Sequence, residues 1–363
     1  MSGKGPLSGK AKYILMDEEL VPFADAKVHI LSNCVTYALT VFEGIRGYWN
    51  DSDKELYLFR LDEHLERLQQ SMRAMRFDTV FPVEQVREQV LRTVRANEHR
   101  ENIHLRVMAI ITGDPTVTAV GPAQLVIQSG PYASTKWQDR GMDVQVSSWQ
   151  RVGDMTNPPR IKATPNYANG RFAMLQAQRD GYDSAIMLTQ TGKVAETPVA
   201  TVFMVRRGEV VTPGVTDNIL ESLTRDTLIQ LFAEQLGRKV VERSVDRTEL
   251  YSADELFACG SGWEVTPIAS VDRLPVGNTS PGPVTREIRQ AYLDAVYGRS
   301  AKYRDWLTPV WADTPREMSK RKGRTCGGVA AERASLRIDR AAPDCPPVFV
   351  VSRQRLVTTP QAG

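Results

Sequence analysis

Arg160-Ile161-Lys162-Ala163-Thr164-Pro165-Asn166-Tyr167 sets one lysine at the junction between a loop and a helix. Upstream, Arg151-Val152-Gly153-Asp154-Met155-Thr156-Asn157-Pro158-Pro159 has no usable hydrophobic period and reads as a connecting loop. Downstream, a helix is predicted from about Tyr167 to Asp180, with Gly181 placed to end it. Most lysines are solvated surface groups. One that is partly desolvated at such a junction, beside a Tyr and among small residues, can lose its proton and form a Schiff base.

The junction divides the chain. The organisation expected is a small N-terminal α/β domain over 1–145, a strand and loop over 146–160, a larger domain over 161–310 and a basic tail over 311–363. In the first part, Lys12–Met16 and Leu20–Pro22 predict a hairpin, and Thr40–Tyr48 with Leu56–Phe59 a second one. Leu61, Leu65, Leu68, Met72 and Met75 form one helical apolar stripe, and a second helix follows Pro82. Ile103–Ile111, Gln124–Gln128 and Val144–Ser148 read as strands.

In the second part strands are predicted at Ser184–Thr189, Thr201–Arg206, Val210–Thr212, Lys239–Glu242 and Glu255–Ala258. Helices are predicted at Thr224–Leu236, near Asp246–Ser252 and at about Val284–Tyr297. Beyond about Val310, Arg316–Arg324 is dense in basic residues and only Val348–Val351 is apolar enough for a strand. This composition predicts a largely disordered tail.

Composition excludes several classes. Hydrophobic residues make up 42% and charged residues 25% of 363, an ordinary globular balance that is neither collagen-like, coiled-coil nor wholly disordered. No apolar run approaches the roughly 18–20 residues of a membrane span, and the N-terminus lacks an apolar signal core, so a soluble cytoplasmic protein is expected. Trp311–Gly363 holds 10 Lys/Arg against 5 Asp/Glu, which leaves 36 basic and 38 acidic groups in the body and no electrostatic footprint for nucleic acid. Cys34, Cys259, Cys326 and Cys345 form no CxxC pair, and the histidines form no HExxH, so no metal site is expected.

Three further features carry possible chemistry. Ser222-Leu223-Thr224-Arg225 opens a helix, where free backbone N–H groups make either an anion site or an ordinary cap. Gly260-Ser261-Gly262 follows an apolar strand and is a second anion cradle or a tight turn. Glu196 follows a strand and is either a surface group or a carboxylate that holds a ring proton in place.

Taken in chain order these features coincide with a family. The sequence resembles the class IV pyridoxal-phosphate aminotransferases, most closely the branched-chain amino acid branch, over about Lys12 to Pro309. The resemblance is carried by Val41-Phe42-Glu43-Gly44-Ile45-Arg46, by Phe59-Arg60-Leu61-Asp62-Glu63-His64-Leu65-Glu66-Arg67-Leu68 and by Val146-Ser147-Ser148-Trp149. Lys162-Ala163 with Asn166-Tyr167, Leu220–Asp226, Leu250–Glu255 and Pro281–Thr285 continue it.

The resemblance implies the fold type IV architecture, an α/β (α+β) protein of two domains with the active site between them. It implies pyridoxal 5′-phosphate as cofactor, amino acids and 2-oxo acids as small-molecule partners, and a homodimer or higher assembly. Neither nucleic acid nor membrane is expected as a partner. Carried over by position, Lys162 is the Schiff-base lysine and proton shuttle. Arg60, Leu223, Thr224 and Ser261 would hold the cofactor phosphate, Tyr167 its phenolic oxygen and Glu196 its ring nitrogen. Substrate contacts would fall on Tyr37, Phe42, Arg46, Arg106, Tyr132, Ser261 and Gly262.

The sequence also departs from the family. Thr197 and Thr201 stand where the family usually has Gly and Asn, Gly260-Ser261-Gly262-Trp263 replaces Gly-Thr-Ala-Ala, and Thr36-Tyr37-Ala38 replaces His-Tyr-Gly. These changes spare the cofactor residues and bear on substrate identity, and Trp263 reshapes the pocket if it points inward. The leading expectation is transfer of an amino group between a branched-chain or other apolar L-amino acid and 2-oxoglutarate. The alternatives are a D-amino acid or amine transaminase, an aminodeoxychorismate lyase-like enzyme, or a silent binding protein. The Phe42-Glu43-Gly44-Ile45-Arg46 run argues against the same-fold alternatives, and the retained Lys162, Arg60 and Tyr167 against the last.

Overall fold

The computed structural model describes residues 11–312, so the tail and its possible strand at 348–351 lie outside the described residues. The first sheet takes β1 (Tyr13–Met16), β2 (Glu19–Pro22), β3 (Thr40–Asn50), β4 (Glu55–Phe59), β5 (Ile103–Ile111) and β6 (Ala123–Pro131). A one-turn helix α1 (Asn33–Thr36) precedes β3, and α2 (Leu61–Ala74) and α3 (Val83–Ala96) lie between β4 and β5. Alternation decides which way each strand faces. Val41 and Ile45 of β3, with Leu105, Val107 and Ala109 of β5, share one core with Leu65, Leu68 and Val90 of the two helices. The intervening residues Phe42, Gly44, Arg46, His104 and Arg106 fall on the opposite face, in register as Gly44 opposite Arg106 and Arg46 opposite His104.

The second sheet takes β7 (Met142–Val146), β8 (Ser184–Ile186), β9 (Thr201–Arg206), β10 (Glu209–Thr212), β11 (Val240–Glu242), β12 (Glu255–Gly260) and β13 (Glu264–Val271), with β14 (Leu274–Pro275) against β13. Its order is β11-β10-β9-β12-β13-β7-β8. Helices α4 (Thr164–Arg179), α5 (Leu223–Glu234) and α6 (Pro283–Val296) complete it. Phe203 and Phe257 stack 5.1 Å apart and pack with Phe232 of α5 and Ile288 of α6. Burying each such ring is worth about 1.5–3 kcal/mol. Finally β15 (Leu307–Pro309) returns to pair with β4, which makes the first sheet seven-stranded in the order β15-β4-β3-β5-β6-β1-β2.

Most elements match the sequence prediction within a residue or two. The largest omission is β13, where Pro267 and the preceding Gly260-Ser261-Gly262 interrupt the apolar pattern. Pro267 lacks the N–H a ladder uses, yet it stands opposite Phe257 in an antiparallel pair. The α1 turn and β15 are also unpredicted, because each is too short to show a period. No helix among the described residues is long and apolar enough to cross a membrane.

Candidate active site

Local chemistry holds Lys162 in place. Pro165 stands in the first turn of α4, where its fixed φ and missing N–H cost nothing. The Asn166 side chain donates to the carbonyls of Pro158 and Ile161, both at 2.9 Å, and so ties the loop to the helix. The Phe42 N–H donates to the Lys162 carbonyl at 2.9 Å, and Val41 bridges Ala163, so the lysine is stitched to β3. The Lys162 Nζ donates to Tyr167 Oη at 2.9 Å, and the Tyr167 ring packs 5.0 Å from Phe42. These groups open on a cavity of about 400 Å3 whose walls come from both sheets and from the start of α5.

Glu196, buried after the short bridge that follows β8, lines the same cavity. Its Oε1 takes Arg151 Nη2 at 2.7 Å and the Leu220 N–H at 3.3 Å. Burial raises the Glu196 pKa, and the Arg151 charge works against that rise.

The anion end is built differently from the sequence expectation. Arg60 sits at positive φ as the residue before α2. Its guanidinium is spent on Glu63 at 2.9 Å, Asp226 at 2.5 Å, Thr227 at 3.1 Å and the Leu223 carbonyl at 3.3 Å, and it does not line the cavity. Arg67, two turns along α2, lines it instead. Glu43 grips Arg67 Nε and Nη2, both at 2.7 Å, and the Glu221 carbonyl takes Nη1 at 2.6 Å. Burial alone would raise the Glu43 pKa, but Arg67 and His64 hold it well below the usual carboxylate range. Ser222 caps α5 by accepting from the Arg225 N–H at 3.3 Å, and it lines the cavity with Leu223. Thr224 is buried in the same turn without reaching the cavity wall.

Phe42, Arg106, Tyr132, Lys162, Tyr167, Glu196, Leu223, Ser261 and Gly262 all line the cavity. Tyr132 Oη donates to the Gly262 carbonyl at 3.1 Å, and Trp263 also lines the wall, edge-on to Trp137 at 5.8 Å. Two expected substrate contacts do not. Arg46 is 1% exposed and lies behind Tyr132, its guanidinium 4.6 Å from that ring and 3.2 Å from Glu264. Tyr37 ends α1 at 43% exposure, away from the cavity wall.

Arg67, Arg151 and His104 are absent from the sequence expectation. For Arg67 a signal existed: His64, Arg67 and Ser71 recur at helical spacing beside the apolar stripe, and all three are buried. Arg151 lies in a loop without period, and His104 alternates with core residues on a strand whose outer face gives no clue to its neighbours.

With this geometry in view, the chain can be set beside known proteins. Residues 40–271 match the family model for class IV amino-transferases. The branched-chain-amino-acid aminotransferase of Salmonella typhimurium (strain LT2) is 35% identical over 308 residues, 83% of this chain and 98% of that protein. Branched-chain amino acid aminotransferase from Thermobaculum terrenum, solved in its PLP form, is 43% identical over 84% of this chain and 99% of that one, with a TM-score of 0.80. A T.th. branched-chain amino acid aminotransferase, complexed with N-(5′-phosphopyridoxyl)-L-glutamate, is 33% identical over 83% of this chain and 99% of that one, with a TM-score of 0.78. A half-buried lysine–tyrosine contact, a paired carboxylate and a clamped arginine around one cavity thus accompany similarity over most of the chain, which belongs to the class IV aminotransferases.

Proposed function

We propose that this chain transfers an amino group between a branched-chain or other apolar L-amino acid and 2-oxoglutarate, with pyridoxal 5′-phosphate held at Lys162. The observation that carries the reading is the Lys162–Tyr167 contact of 2.9 Å in a cavity that also presents Glu196 and Arg67. The relatives are named for branched-chain amino acids, and two of their solved forms hold the cofactor or its glutamate adduct, which supports it further.

The donor set fits the cofactor. A primary amine matches an aldehyde, and a carboxylate with one oxygen spent on Arg151 keeps the other for a protonated ring nitrogen. Arg67 and the N–H groups that open α5 match a phosphate dianion. Bound there, the cofactor supplies an aldehyde that condenses with amines and a ring that takes up the electron pair released at the substrate's α-carbon.

The protein's own residues do the rest. Lys162 Nζ, once its amine is free, takes the proton from the substrate's α-carbon and returns one to complete the exchange. Tyr167 Oη orients that amine, and the bond from Phe42 N–H to the Lys162 carbonyl fixes its base. Glu196, paired with Arg151, would face the protonated ring nitrogen and favour its positive charge. Phe42 and Tyr132 line an apolar wall for the side chain. Exposed Phe23, Val28, Ile30, Leu31, Val35 and Tyr37 cluster in one segment, which supports a second copy of the chain as partner and a role for Tyr37 in that copy's site. The reading carries a cytoplasmic enzyme with it.

The test is a half-reaction on purified holoenzyme, recorded by visible absorbance with L-leucine, L-valine, D-alanine and a simple amine added separately. Conversion by L-leucine or L-valine, lost in Lys162→Ala, is the expected result. Conversion by D-alanine or the amine alone overturns the substrate, and a colourless protein that takes up no cofactor overturns the reading.

A further inference from the structure

A guanidinium sealed inside a protein needs a partner for its charge and for each of its N–H groups. Arg46 of β3 has the first and lacks most of the second. Its Nη2 lies 3.2 Å from Oε1 of Glu264, the first residue of β13, and donates to the Tyr132 carbonyl at 3.4 Å. The two charged side chains are 1% and 2% exposed. Arg46 Nε and Nη1 have no hydrogen-bond partner among the described residues, and neither has Glu264 Oε1. A buried pair with so few hydrogen bonds offsets little of its desolvation cost, so fold stability does not account for it.

The pair does hold two parts of the cavity wall. The guanidinium lies 4.6 Å from the Tyr132 ring and 5.1 Å from the Tyr48 ring, so the cation backs Tyr132 while its Oη is fixed on the Gly262 carbonyl at 3.1 Å. Glu264 stands across from Gly260 and closes the turn Ser261-Gly262-Trp263. It does so at φ 55°, a left-handed conformation that a residue with a Cβ keeps only where its surroundings impose it. Its second oxygen is held as well: Gln138 Nε2 donates to Oε2 at 2.6 Å, and Arg289 Nη1 of α6 donates to the Gln138 carbonyl at 2.8 Å. Tyr132 and Trp263 line the cavity, whereas Arg46 and Glu264 stand behind them and join β3 to β13.

We infer that Arg46 and Glu264 are positioning residues for substrate size: acting through Tyr132 and the Gly260–Trp263 turn, the pair sets how large an apolar side chain the cavity admits. Neither group touches the substrate itself. The inference rests on the aminotransferase reading.

The experiment compares half-reactions of four holoenzymes with L-leucine and L-phenylalanine: wild type, Arg46→Met/Glu264→Gln, Arg46→Lys and Gln138→Leu. Urea unfolding and equilibrium dialysis with pyridoxal phosphate accompany them. The paired variant removes both charges together and leaves no uncompensated ion. It should raise kcat/KM for L-phenylalanine relative to L-leucine about fivefold, chiefly through KM, with cofactor affinity within about twofold of wild type. Arg46→Lys, which keeps a cation beside Glu264, should hold the ratio near wild type. Gln138→Leu keeps both charges but frees Glu264 Oε2, and should move the ratio the same way by about two- to threefold. An unchanged ratio in the paired variant, or in Gln138→Leu where the paired variant does not fold, overturns the inference and leaves the transaminase reading intact. Lower stability or cofactor affinity with that ratio unchanged makes the pair a structural brace alone. A shift in Arg46→Lys as large as in the paired variant overturns the part given to the cation. Silence of the wild type toward both donors overturns the reading itself.

Discussion

Arg151 and Glu196 form an ion pair sealed inside the protein, Nη2 to Oε1 at 2.7 Å, each side chain 6% exposed. Neither group tolerates the loss of the other, because removing one partner leaves an uncompensated buried charge. Arg151→Met should therefore cost about 3–5 kcal/mol in urea unfolding of the apoprotein. Glu196 would then take up a proton and cease to support a protonated ring nitrogen, so cofactor affinity should fall as well. Arg151→Lys, which keeps the cation, should recover both. Loss of affinity without loss of stability would contradict the pairing argument.

Arg67 and Arg60 offer a direct comparison. Arg67 reaches the cavity with its fork fixed by Glu43, whereas Arg60 is spent on Glu63, Asp226 and Thr227. Arg67→Lys keeps a cation beside Glu43 and removes the planar fork. Hydrogen bonds to charged groups are worth about 1.5–3 kcal/mol, so cofactor affinity should fall on the order of 10–100-fold. Arg60→Met should change that affinity only slightly and act on stability instead. The reverse ranking, read by equilibrium dialysis with pyridoxal phosphate, would restore Arg60 to the anion site.

These two arginines show where sequence reading ends. The order of elements is legible from periodicity, because stripes such as Leu61, Leu65, Leu68 and Met72 have a single helical solution. Lys162 and Tyr167 are legible from their junction, and they do meet. Which of two arginines seven residues apart faces a cavity depends on a left-handed φ at Arg60, and no local pattern announces it. Arg46 illustrates the same limit: its strand face is correct, yet Tyr132 arrives from just beyond β6, far along the chain, and covers it. Contacts between distant segments, such as Glu43 with Arg67 or Arg151 with Glu196, carry no signature in either segment alone.

Glu249 gives the fold a measurable acid sensitivity. It accepts from Arg243 at 2.9 and 2.8 Å and from Arg206 at 3.0 Å, and it closes the capping box at Asp246. Arg243 above all lowers its pKa from the ordinary value of 4.5 to about 2. The folded state therefore binds this proton less readily than the unfolded state, and the stabilisation is complete above about pH 4.5 and lost as pH falls toward 2. Glu249→Gln should destabilise the protein at pH 7, and the gap to wild type should close progressively below pH 4.5. A gap that stays constant down to pH 2 would assign Glu249 a purely neutral hydrogen-bonding role.

Trp263 bears on substrate size. Its N–H donates to the Gly260 carbonyl at 3.0 Å, and its carbonyl accepts from Thr266 Oγ1 at 2.6 Å, so the turn is fixed at both ends. Held there, the indole meets Trp137 edge-on at 5.8 Å and belongs to a wall of the cavity. An aromatic pair of this geometry adds about 0.5–1.5 kcal/mol beyond the burial of its area, which resists displacement by a larger substrate. Trp263→Ala should therefore open the pocket and raise kcat/KM for L-phenylalanine relative to L-leucine about tenfold, the scale on which apolar pockets discriminate. Trp137→Ala, which removes the backing and leaves the indole free to turn, should move the ratio the same way by less. Both ratios follow from half-reaction kinetics with the two amino acids, and an unchanged ratio in Trp263→Ala would mean that the indole limits nothing that enters the site.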